Sequence, residues 1–413
     1  MKALILAAGD GTRMRPLTVN IPKPLLLVAG KPLLQHTLSA LKKVGINEIF
    51  VVVGPKTKEI CKYFGNGKNV GVKIKYLEQK KPLGTADAIG KARNAIDSDF
   101  LCINGDIITT YQAIRDVLSF YKKHKKIIIT ATRTKNPSEY GVLKIKDKKV
   151  LGLVEKSPNP PSDLINAGIY IFTPGIFDAI KKTKLSKRGE YEITDSLQEF
   201  IERREVYAHT MKEQWLDVSR PWDLLIVNAF LMKNLKKKIN GEVEPHATIK
   251  GEVTIGKGTV VRNGSYIVGP VIIGNDCDIG PNCFIRPYTM IGNNCKVGNG
   301  VEIKNSIIMN STHVPHLNYV GDSIIGERCN LGAGTKVANL RLDEKNISSY
   351  VKGNLVETPL RKLGTIIGDD VKTGINVSIN VGTVIGESSF IAPGEVVHGN
   401  IPPKSKIITK IKS

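Results

Sequence analysis

From residue 249 onward, an aliphatic residue returns at every sixth position of the chain. The residues in this phase are Ile249, Ile255, Val261, Ile267, Ile273, Ile279, Ile285, Ile291, Val297, Ile303 and Met309. Glycine or asparagine often follows, as in Ile255-Gly256. Such a period predicts a short strand followed by a tight corner, and three of these units make one triangular coil. The pattern therefore predicts a parallel β-helix of hexapeptide repeats.

Two breaks interrupt this period. The phase is lost at Pro315 and resumes at Ile325, and it is lost again across residues 341–362 before it returns at Ile367. We interpret both breaks as insertions into the solenoid. The hexapeptide pattern resembles that of acyltransferases built on a left-handed parallel β-helix. The expected left hand comes from this resemblance and not from the spacing.

Residues 1–228 show a different pattern, in which apolar runs alternate with helical segments. Ala3–Ala7, Ile49–Val53 and Phe100–Ile103 read as buried strands, and Leu33–Val44 and Ala86–Ile96 read as helices. This alternation predicts an α/β, Rossmann-like domain in which helices cover both faces of a parallel sheet.

The domain boundaries are placed by the change from one pattern to the other. Residues 1–228 form the expected first domain, and 246–413 form the β-helix domain. A helix is predicted over Pro221–Lys238, because an apolar segment there ends in a lysine run before Gly241. Residues 229–245 then hold the end of this linker helix.

Basic charge is concentrated before the solenoid. Residues 1–239 contain 42 Lys and Arg against 23 Asp and Glu, and the rest contain 18 against 15, within a total net charge of +22. This surplus suits anionic ligands such as nucleotides or pyrophosphate, and a solvated lysine-rich surface explains it equally well. No basic motif with interleaved aromatic residues indicates nucleic-acid binding.

The sequence shows no targeting or membrane segment. No apolar run approaches the roughly 20 residues that a membrane-spanning helix needs, and Gly9 to Gly11 interrupt the apolar start before a signal-peptide core forms. We therefore expect a cytoplasmic protein. The six cysteines form no Cys-x-x-Cys pair and have no nearby histidine at metal-ligand spacing, so we expect reduced packing residues.

A glycine-rich turn follows the first strand, in the segment LAAGDGTRMRPLT from Leu6 to Thr18. Backbone N–H groups of such a turn can approach phosphates, and Arg13 and Lys23 supply cationic contacts. The segment resembles that of the sugar-1-phosphate nucleotidylyltransferases. The resemblance implies catalytic roles for Arg13 and Lys23. It also implies a nucleotide site at Leu6, Ala8, Gly9, Gly11, Thr12, Gln79, Gly84 and Thr85.

Two aspartates are candidate metal ligands. Asp106 follows an apolar strand, so its carboxylate is expected at the carboxyl edge of the sheet, where α/β sheets bind ligands; Asp217 occupies a similar place. Two such carboxylates with phosphate oxygens and water suit Mg²⁺, although each could also cap a helix or turn. The resemblance further implies a sugar-phosphate pocket at Gly141, Glu155, Lys156 and Asn166.

The first break of the solenoid contains the segment THVPHLNYVGD, from Thr312 to Asp322. With Lys304 and Asn330 at matching spacing, it resembles the acetyltransferase half of the bifunctional enzymes that make UDP-N-acetylglucosamine. Acetyl transfer to an amine requires a base of near-neutral pKa, which histidine can supply.

This second resemblance assigns roles along the solenoid. His316 is the implied base, whereas His313 matches no family position and reads as an ordinary polar residue. Arg286 and Lys304 are three hexads apart, so they are expected to stack on adjacent coils. The implied sugar-phosphate ligands are Arg286, Lys304, Tyr319 and Asn330, and the implied acetyl-CoA contacts are Ala333 and Asn339.

The sequence thus favours a bifunctional enzyme that acetylates glucosamine 1-phosphate with acetyl-CoA and then couples the product to UTP, releasing pyrophosphate. The alternative is a monofunctional uridylyl- or thymidylyltransferase, acting on a substrate such as glucose 1-phosphate, whose β-helix serves assembly or regulation. Family resemblance implies a homotrimer. The sequence leaves open whether UTP or dTTP is preferred, which sugar is used, and which residues beyond 341–362 contact CoA.

Overall fold

The computed structural model describes residues 1–55 and 58–409. The chain divides into two compact units. The first unit comprises Met1–Asp10 and Leu33–Asp217, and the second comprises Gly11–Pro32 and Val218–Ser413. Of the lysines near the end of the chain, Lys410 and Lys412 lie outside the described residues. In the described part of the chain, no helix is long and apolar enough to cross a membrane.

The core of the first unit is a nine-stranded sheet in which Lys2–Ala7 is the third strand in spatial order. In spatial order, its strands are Lys73–Glu78, Glu48–Val53, Lys2–Ala7, Phe100–Asn104, Leu164–Phe172, Ile127–Arg133, Val206–Thr210, Lys149–Glu155 and Gly141–Lys146. The first four are mutually parallel, as in a Rossmann-like fold. The predicted α/β class is therefore confirmed.

The other half of the sheet is mixed, so the prediction of a wholly parallel sheet is wrong there. Leu164–Phe172 runs antiparallel to both of its main neighbours. Gly141–Lys146 and Lys149–Glu155 are joined by a two-residue turn, Asp147 and Lys148, both with positive φ. A turn this short connects only antiparallel strands, whereas parallel neighbours need a crossover of a dozen or more residues.

Helices pack on this sheet at the positions where the sequence pattern is strongest. Tyr111–His124 begins at Thr110, whose side chain accepts a hydrogen bond from Ala113 N, and its buried residues form one apolar face. The helix predicted over 86–96 is shorter, ending at Gly90. The helices of the first unit are Leu33–Lys43, Lys58–Phe64, Thr85–Gly90, Tyr111–His124, Ile176–Lys182, Ile193–Ser196 and Gln198–Glu202.

The second unit is the predicted β-helix, with three parallel faces that we call A, B and C. Face A consists of Lys238–Ile239, Val253–Ile255, Val271–Ile273, Thr289–Ile291, Ile307–Ile308, Ile324–Ile325, Thr365–Ile367, Thr383–Ile385 and Asn400–Ile401. Face B consists of Glu242–Val243, Val260–Val261, Asp278–Ile279, Lys296–Val297, His313–Val314, Lys372–Thr373, Phe390–Ile391 and Lys406–Ile407. Face C consists of Thr248–Lys250, Tyr266–Val268, Phe284–Ile285, Glu302–Lys304, Tyr319–Gly321, Lys336–Val337, Ser378–Ile379 and Val396–Val397. Inward aliphatic side chains from all three faces stack into one buried core.

The register along face A explains both breaks in the period. Ile273 pairs with Ile291, three full hexads further along the chain. Ile291 then pairs with Ile308, and Ile308 with Ile325, and each of these steps is one residue short of three hexads. Ile325 pairs with Ile367, across the whole of segment 341–362. The first break is therefore a loss of one residue per coil, and the second is an insertion.

Our interpretation of the first break as an insertion is wrong for a simple geometric reason. The step from the inward residue Ile303 on face C to the next inward residue on face A takes five residues instead of six. Ile308, and not Met309, therefore pairs with Ile291 of the preceding coil. The second break is confirmed as an insertion, and it contains an antiparallel hairpin of Ser348–Val351 and Asn354–Glu357. The buried Cys277, Cys283 and Cys295 pack in the coil core, as expected.

The limits of the second unit differ from the predicted domain boundaries. The helix after Pro221 spans Asp223–Met232, and Lys238–Ile239 already pairs with Thr254–Ile255. The lysine run therefore leads directly into the first coil. The β-helix thus starts before residue 246 and inside the expected linker, because the strand signal there is only two residues long.

The segment Gly11–Pro32 also belongs to the second unit. It contains the short turns Thr12–Met14 and Lys23–Leu25 and the two-stranded ribbon of Leu27–Val28 and Lys31–Pro32. Asn20 Nδ2 donates to Asp369 Oδ2 at 3.1 Å, and Ala29 N donates to Asn228 Oδ1 at 2.8 Å. Asn228 in turn donates to Tyr288 O at 2.8 Å. Nothing in the local pattern of this segment predicts these contacts, since its partners lie far away in the sequence.

Candidate active sites

The first unit has a cavity of about 260 Å³ at the carboxyl ends of its parallel strands. The residues that line it are Leu6, Ala8, Gly9, Gln79, Pro82, Gly84, Thr85, Ala88, Asn104, Asp106 and Glu190. All six nucleotide-site residues expected in this unit therefore come together around one opening. This is the edge at which open α/β sheets bind ligands.

The loop between Gln79 and Thr85 is held rigidly at this cavity. Gln79 Nε2 donates to Gly84 O at 3.2 Å and to Asp87 Oδ2 at 2.8 Å, which fixes the orientation of the buried amide. Gly84 has φ 108°, and a Cβ there would lie 2.5 Å from Tyr191 O. Because the NH₂ group faces the protein, the amide oxygen of Gln79 is the atom that can accept from a nucleobase.

The two candidate metal ligands lie on one two-stranded ribbon. Asp106 immediately precedes Ile107–Thr109, and Asp217 is the cross-strand partner of Ile107. Gly105 N donates to Leu6 O at 2.9 Å, so the Asp106 turn is tied to the strand Lys2–Ala7. Two carboxylates brought together in this way fit Mg²⁺, whose remaining positions are usually taken by substrate phosphates and water.

The candidate sugar pocket centres on Glu155, the cross-strand partner of Gly141. A Cβ at residue 141 would lie 2.8 Å from Glu155 Oε1, so glycine is what allows the carboxylate to lie there. Burial raises the pKa of Glu155, and the Arg188 guanidinium at 3.7 Å opposes this shift. Arg188 also forms an ion pair at 2.5 Å with the buried Glu192.

Lys156 directly follows Glu155 at the end of its strand, and Asn166 lies on the strand Leu164–Phe172. Asn166 Nδ2 donates to Tyr170 OH at 2.6 Å, and Asn166 Oδ1 accepts from Gly168 N at 3.1 Å. Lys156 has φ 43° at the end of its strand, and its backbone N donates to Tyr140 O at 3.0 Å. Tyr140 OH also donates to Asp217 Oδ2 at 3.2 Å. One expected sugar-site residue, Lys156, is thus linked through Tyr140 to the expected metal ligand Asp217.

The expected nucleotide-site residues Gly11 and Thr12 and the expected catalytic residues Arg13 and Lys23 lie in the segment that belongs to the second unit. Gly11 has φ 61°, and its carbonyl accepts from Thr18 Oγ1 at 2.8 Å. Gly11 lies beside Lys23, since a Cβ at residue 11 would be 3.2 Å from Lys23 Cβ. The turn that bears Arg13 therefore has a defined conformation.

The second unit has a cavity of about 390 Å³ on face C. It is lined by Tyr319, Lys336, Val337, Ala338, Asn339, Ser378, Ile379, Asn380 and Val396. Two of the residues expected in the acetyl-transfer site, Tyr319 and Asn339, are among them. Ser378, Ile379, Asn380 and Val396 follow the insertion, and no sequence pattern pointed to them.

Arg286 and Lys304 stack on adjacent coils of face C, as their spacing predicts, because Ile285 pairs with Ile303. Arg286 Nη1 donates to Glu302 Oε1 at 2.8 Å, and Lys304 Nζ forms an ion pair with Asp322 Oδ2 at 3.0 Å. Both cations therefore have carboxylate partners in this chain.

Asp322 is the residue that sequence reasoning missed. Its buried carboxylate accepts from Lys304 Nζ at 3.0 Å, from Asn305 Nδ2 at 2.7 Å and from Asn339 Nδ2. Asn339 Nδ2 also lies 3.3 Å from Tyr319 OH. The available signal was an acidic residue at a corner position of the coil, at the end of the segment that carries His316.

In the described hydrogen bonds, His316 and Asn330 take no part in this network. His316 is exposed at the corner between faces B and C, and its carbonyl accepts from Gly334 N at 3.0 Å. Asn330 lies on face B, bridged to His313 and Lys372. Ala333 O accepts from Asn376 N at 2.8 Å at the next corner. The structure therefore does not bring Asn330 together with the face C residues of the same chain.

Comparisons with known proteins agree with both halves of this architecture. The nucleotidyl transferase family model matches residues 2–234, and the model of the GMPPB C-terminal domain matches residues 267–410. The bifunctional protein GlmU of Methanocaldococcus jannaschii is 44% identical over 402 residues, which cover 97% of this chain and 96% of that protein.

Two further relatives extend the comparison. A bifunctional sugar-1-phosphate nucleotidylyltransferase/acetyltransferase of Sulfurisphaera tokodaii is 40% identical over 405 residues, covering 97% of this chain and 98% of that protein. Among solved structures, a UDP-glucose pyrophosphorylase complexed with UDP-glucose aligns with a TM-score of 0.52 at 27% identity, over 56% of this chain and 98% of that one.

Proposed function

The chain belongs to the nucleotidyl transferase family, among the bifunctional sugar-1-phosphate nucleotidylyltransferase/acetyltransferases, and we propose that it makes UDP-N-acetylglucosamine in two steps. Acetyl-CoA first acetylates glucosamine 1-phosphate. The product, N-acetylglucosamine 1-phosphate, then reacts with UTP and releases pyrophosphate. The observation that carries this proposal is that each unit has its own cavity, lined by residues that match the corresponding half of the family.

Nucleotidyl transfer requires alignment more than a reactive side chain. The sugar-phosphate oxygen attacks the α-phosphorus of the nucleotide, and the bond to pyrophosphate breaks, so no covalent enzyme intermediate is needed. Gln79, Gly84 and Thr85 would bind the base, and Glu155, Lys156 and Asn166 would bind the sugar phosphate. Arg13 and Lys23 would neutralise charge on the transferred phosphate, by correspondence with the family.

Asp106 and Asp217 would hold a divalent cation, which we propose to be Mg²⁺. When bound, the ion would neutralise phosphate charge. The donor set fits this ion, since two hard carboxylates meet on one ribbon. Tyr140 would keep the Asp217 carboxylate in place through its hydroxyl group.

For acetyl transfer, His316 would take a proton from the sugar amine as the amine nitrogen attacks the thioester carbon. The C–S bond then breaks, and His316 would pass this proton to the CoA sulfur, so that CoA leaves as the thiol. Arg286, Lys304 and Tyr319 would bind the sugar phosphate. Ala333 N–H and Asn339 would lie near the reacting acetyl group. The cavity on face C is the proposed place for acetyl-CoA.

We further propose a homotrimer in which the acetyl site lies between neighbouring chains. Asn330 lies on face B and Tyr319 on face C, so a site that uses both residues needs a second copy of the chain. Light scattering on active protein should give three times the mass of one chain, 45.2 kDa. An active monomer would contradict the shared site.

A second candidate function is favoured by one comparison. The C-terminal family model is that of the GMPPB C-terminal domain, which is compatible with a β-helix that serves assembly or regulation of a monofunctional enzyme. The bifunctional relatives cover nearly the whole chain, however, and this favours two activities.

Assays of the purified protein separate the two candidates. Acetyl transfer is measured as CoA release with glucosamine 1-phosphate. Nucleotidyl transfer is measured as pyrophosphate release with UTP or dTTP and with N-acetylglucosamine 1-phosphate or glucose 1-phosphate. We expect CoA release, and fastest pyrophosphate release with UTP and the acetylated sugar. Absence of CoA release with every amino-sugar phosphate would leave the monofunctional alternative.

A further inference from the structure

We propose that Asp322 is a positioning residue of the acetyl-transfer site, acting through Lys304 and Asn339. This inference rests on the proposed function, which places those two side chains in the site. Asp322 lies at the corner that follows strand Tyr319–Gly321, with φ 52°, and is only 4% exposed. It is the one residue that contacts both a proposed sugar-phosphate ligand and a proposed acetyl-CoA ligand in the described hydrogen bonds.

Both oxygens of the Asp322 carboxylate accept hydrogen bonds from side-chain nitrogens of its neighbours. Oδ2 accepts from Lys304 Nζ at 3.0 Å and from Asn339 Nδ2, while Oδ1 accepts from Asn305 Nδ2 at 2.7 Å. An ionised carboxylate can only accept hydrogen bonds. The amide nitrogen of Asn339 must therefore face Asp322, which leaves the amide oxygen of Asn339 to accept from an N–H group of a substrate.

The network continues from Asn339 to Tyr319. Asn339 Nδ2 lies 3.3 Å from Tyr319 OH, and both groups lie over Gly321. A Cβ at residue 321 would be 2.6 Å from Asn339 Nδ2 and 2.7 Å from Tyr319 OH. The glycine thus leaves the space that this arrangement needs. Three proposed site residues converge on Asp322 either directly or through one intervening amide.

Corner geometry alone does not require an acid at this position. Asn305 occupies the equivalent corner one coil earlier, with φ 44°, and fulfils the backbone role with a neutral amide. The coil sides that begin at these two corners are the ones that hold five residues instead of six. The acidic group at residue 322 therefore has a role beyond forming the turn, and its contacts place that role in the acetyl site.

The test compares Asp322→Asn with Asp369→Asn in the full chain. Asp369 is a matched control because it is also a buried corner carboxylate, 2% exposed, that accepts from Glu327 N at 2.9 Å. We expect Asp322→Asn to lower kcat/KM for acetylation of glucosamine 1-phosphate roughly tenfold to a hundredfold, since small misplacements of binding groups have effects of this order. Asp369→Asn should change it less than about threefold. Nucleotidyl transfer by Asp322→Asn should stay at the wild-type rate.

A double-mutant cycle separates positioning from a general structural role. If Asp322 acts partly through Lys304, Asp322→Asn should lower acetyl kcat/KM much less in a Lys304→Gln background than in the wild type. An equal loss in both backgrounds, or a loss no larger than that of Asp369→Asn, would overturn the proposal. Absence of acetyl transfer by the wild type would instead overturn the proposed function itself.

A second variant covers the case in which Asp322→Asn does not fold. Asn305→Gly removes the donor to Asp322 Oδ1 but keeps a residue that accepts positive φ. It should lower acetyl kcat/KM roughly threefold or more while nucleotidyl transfer is retained. An unchanged acetyl kcat/KM in this folded variant would contradict the positioning role.

Discussion

The two units assemble their sites in different ways. In the first unit, Leu6, Gln79, Asn104 and Glu190 come from distant parts of the chain and meet because strand ends and loops converge on one cavity. In the second unit, site residues recur at one-coil intervals, as with Arg286 above Lys304. A site of the first kind depends on the topology of the sheet. A site of the second kind depends on the number of residues in each coil.

This difference determines what a local change can do. Loops at sheet edges accept changes in length, because the strands hold the site. In the coil, the loss of one residue shifts the sequence position of every later inward-facing residue by one. The side chains that face the core remain aliphatic, as at Ile308, which pairs with Ile291. The comparison predicts that substitutions at the sheet-edge cavity affect only nucleotidyl transfer, and that substitutions in the coil affect only acetyl transfer.

The largest expected effect is that of His316→Ala. A general base typically contributes about a hundred to ten-thousandfold, so acetyl transfer to glucosamine 1-phosphate should fall by that factor, mainly in kcat. His316 is exposed, so the fold and the oligomeric state should be retained. Nucleotidyl transfer with N-acetylglucosamine 1-phosphate should stay at the wild-type rate.

His313→Ala is the matched control for this variant, since His313 is also exposed and lies three residues away. It should change acetyl transfer far less. If both variants acetylate at the wild-type rate, His316 is not the general base. If His316→Ala loses both activities, the two sites are not independent.

Asp106→Ala should have the next largest effect, and in the opposite unit. Loss of one of two proposed cation ligands should lower nucleotidyl transfer on the order of a hundredfold or more, while acetyl transfer stays nearly intact. Asp217→Ala should behave in the same way, since Asp217 lies opposite Ile107 on the same ribbon. Near wild-type pyrophosphate release at saturating Mg²⁺ would refute the assignment for that aspartate.

These sites could be anticipated to different extents. Gln79 and Gly84 were expected from the family resemblance, whereas Asp106 was expected because it follows an apolar strand, and strand ends in such sheets converge on one edge. Lys304 above Arg286 was found because the period is fixed. Asp322 was missed because a corner acid in a repeat resembles an ordinary turn residue until its three hydrogen-bond donors are seen.

The fold was anticipated where it is local and missed where it is not. Strand and helix signals gave the α/β class and the coil, but not the antiparallel strands after residue 127, whose pairing depends on turns such as Asp147-Lys148. The contacts of Gly11–Pro32 with Asp369 and Asn228 join residues hundreds of positions apart. No local pattern encodes such pairs.

Gly168→Ala sharpens the comparison with a smaller change in the first unit. Gly168 has φ 70°, and a Cβ there would lie 2.6 Å from Asn104 Nδ2. We expect nucleotidyl kcat/KM to fall roughly tenfold, because Asn104 lines the cavity, and unfolding free energy to fall by about 1 kcal/mol or more from the positive φ. Acetyl transfer should not change, and a wild-type nucleotidyl rate would show that Asn104 has space to move.

Gly321→Ala is the counterpart in the coil, where φ is not strained. The atoms nearest to its Cβ would be the side-chain ends of Tyr319 and Asn339, which can move aside, so we expect folding to be retained. Their displacement should lower acetyl kcat/KM several-fold and leave nucleotidyl transfer unchanged. Equal loss of both activities would show that the substitution disrupts the chain as a whole.

The smallest expected effects concern pH, and the two units should respond with opposite sign. Burial raises the pKa of Glu155 above its ordinary value of 4.5, so the folded state binds this proton more tightly than the unfolded state. Its contribution to stability is present below pH 4.5 and is lost as pH rises through the raised pKa. Glu155→Gln removes the titrating group, so this decline above pH 4.5 should disappear.

Asp370 on the coil should show the reverse behaviour. The Arg328 guanidinium donates to both of its oxygens, at 2.7 and 2.8 Å, and lowers its pKa below the ordinary value of 3.8. This contribution is present above pH 3.8 and is lost as pH falls through the lowered pKa, so Asp370→Asn should flatten the acid side of the stability curve. Denaturant midpoints of the wild type and both variants, measured from acid to neutral pH, test the pair. Because Asp370 is partly exposed, its substitution should change the pH dependence of the midpoint less than that of Glu155 does. If both substitutions changed this pH dependence in the same direction relative to the wild type, the assigned causes would be contradicted.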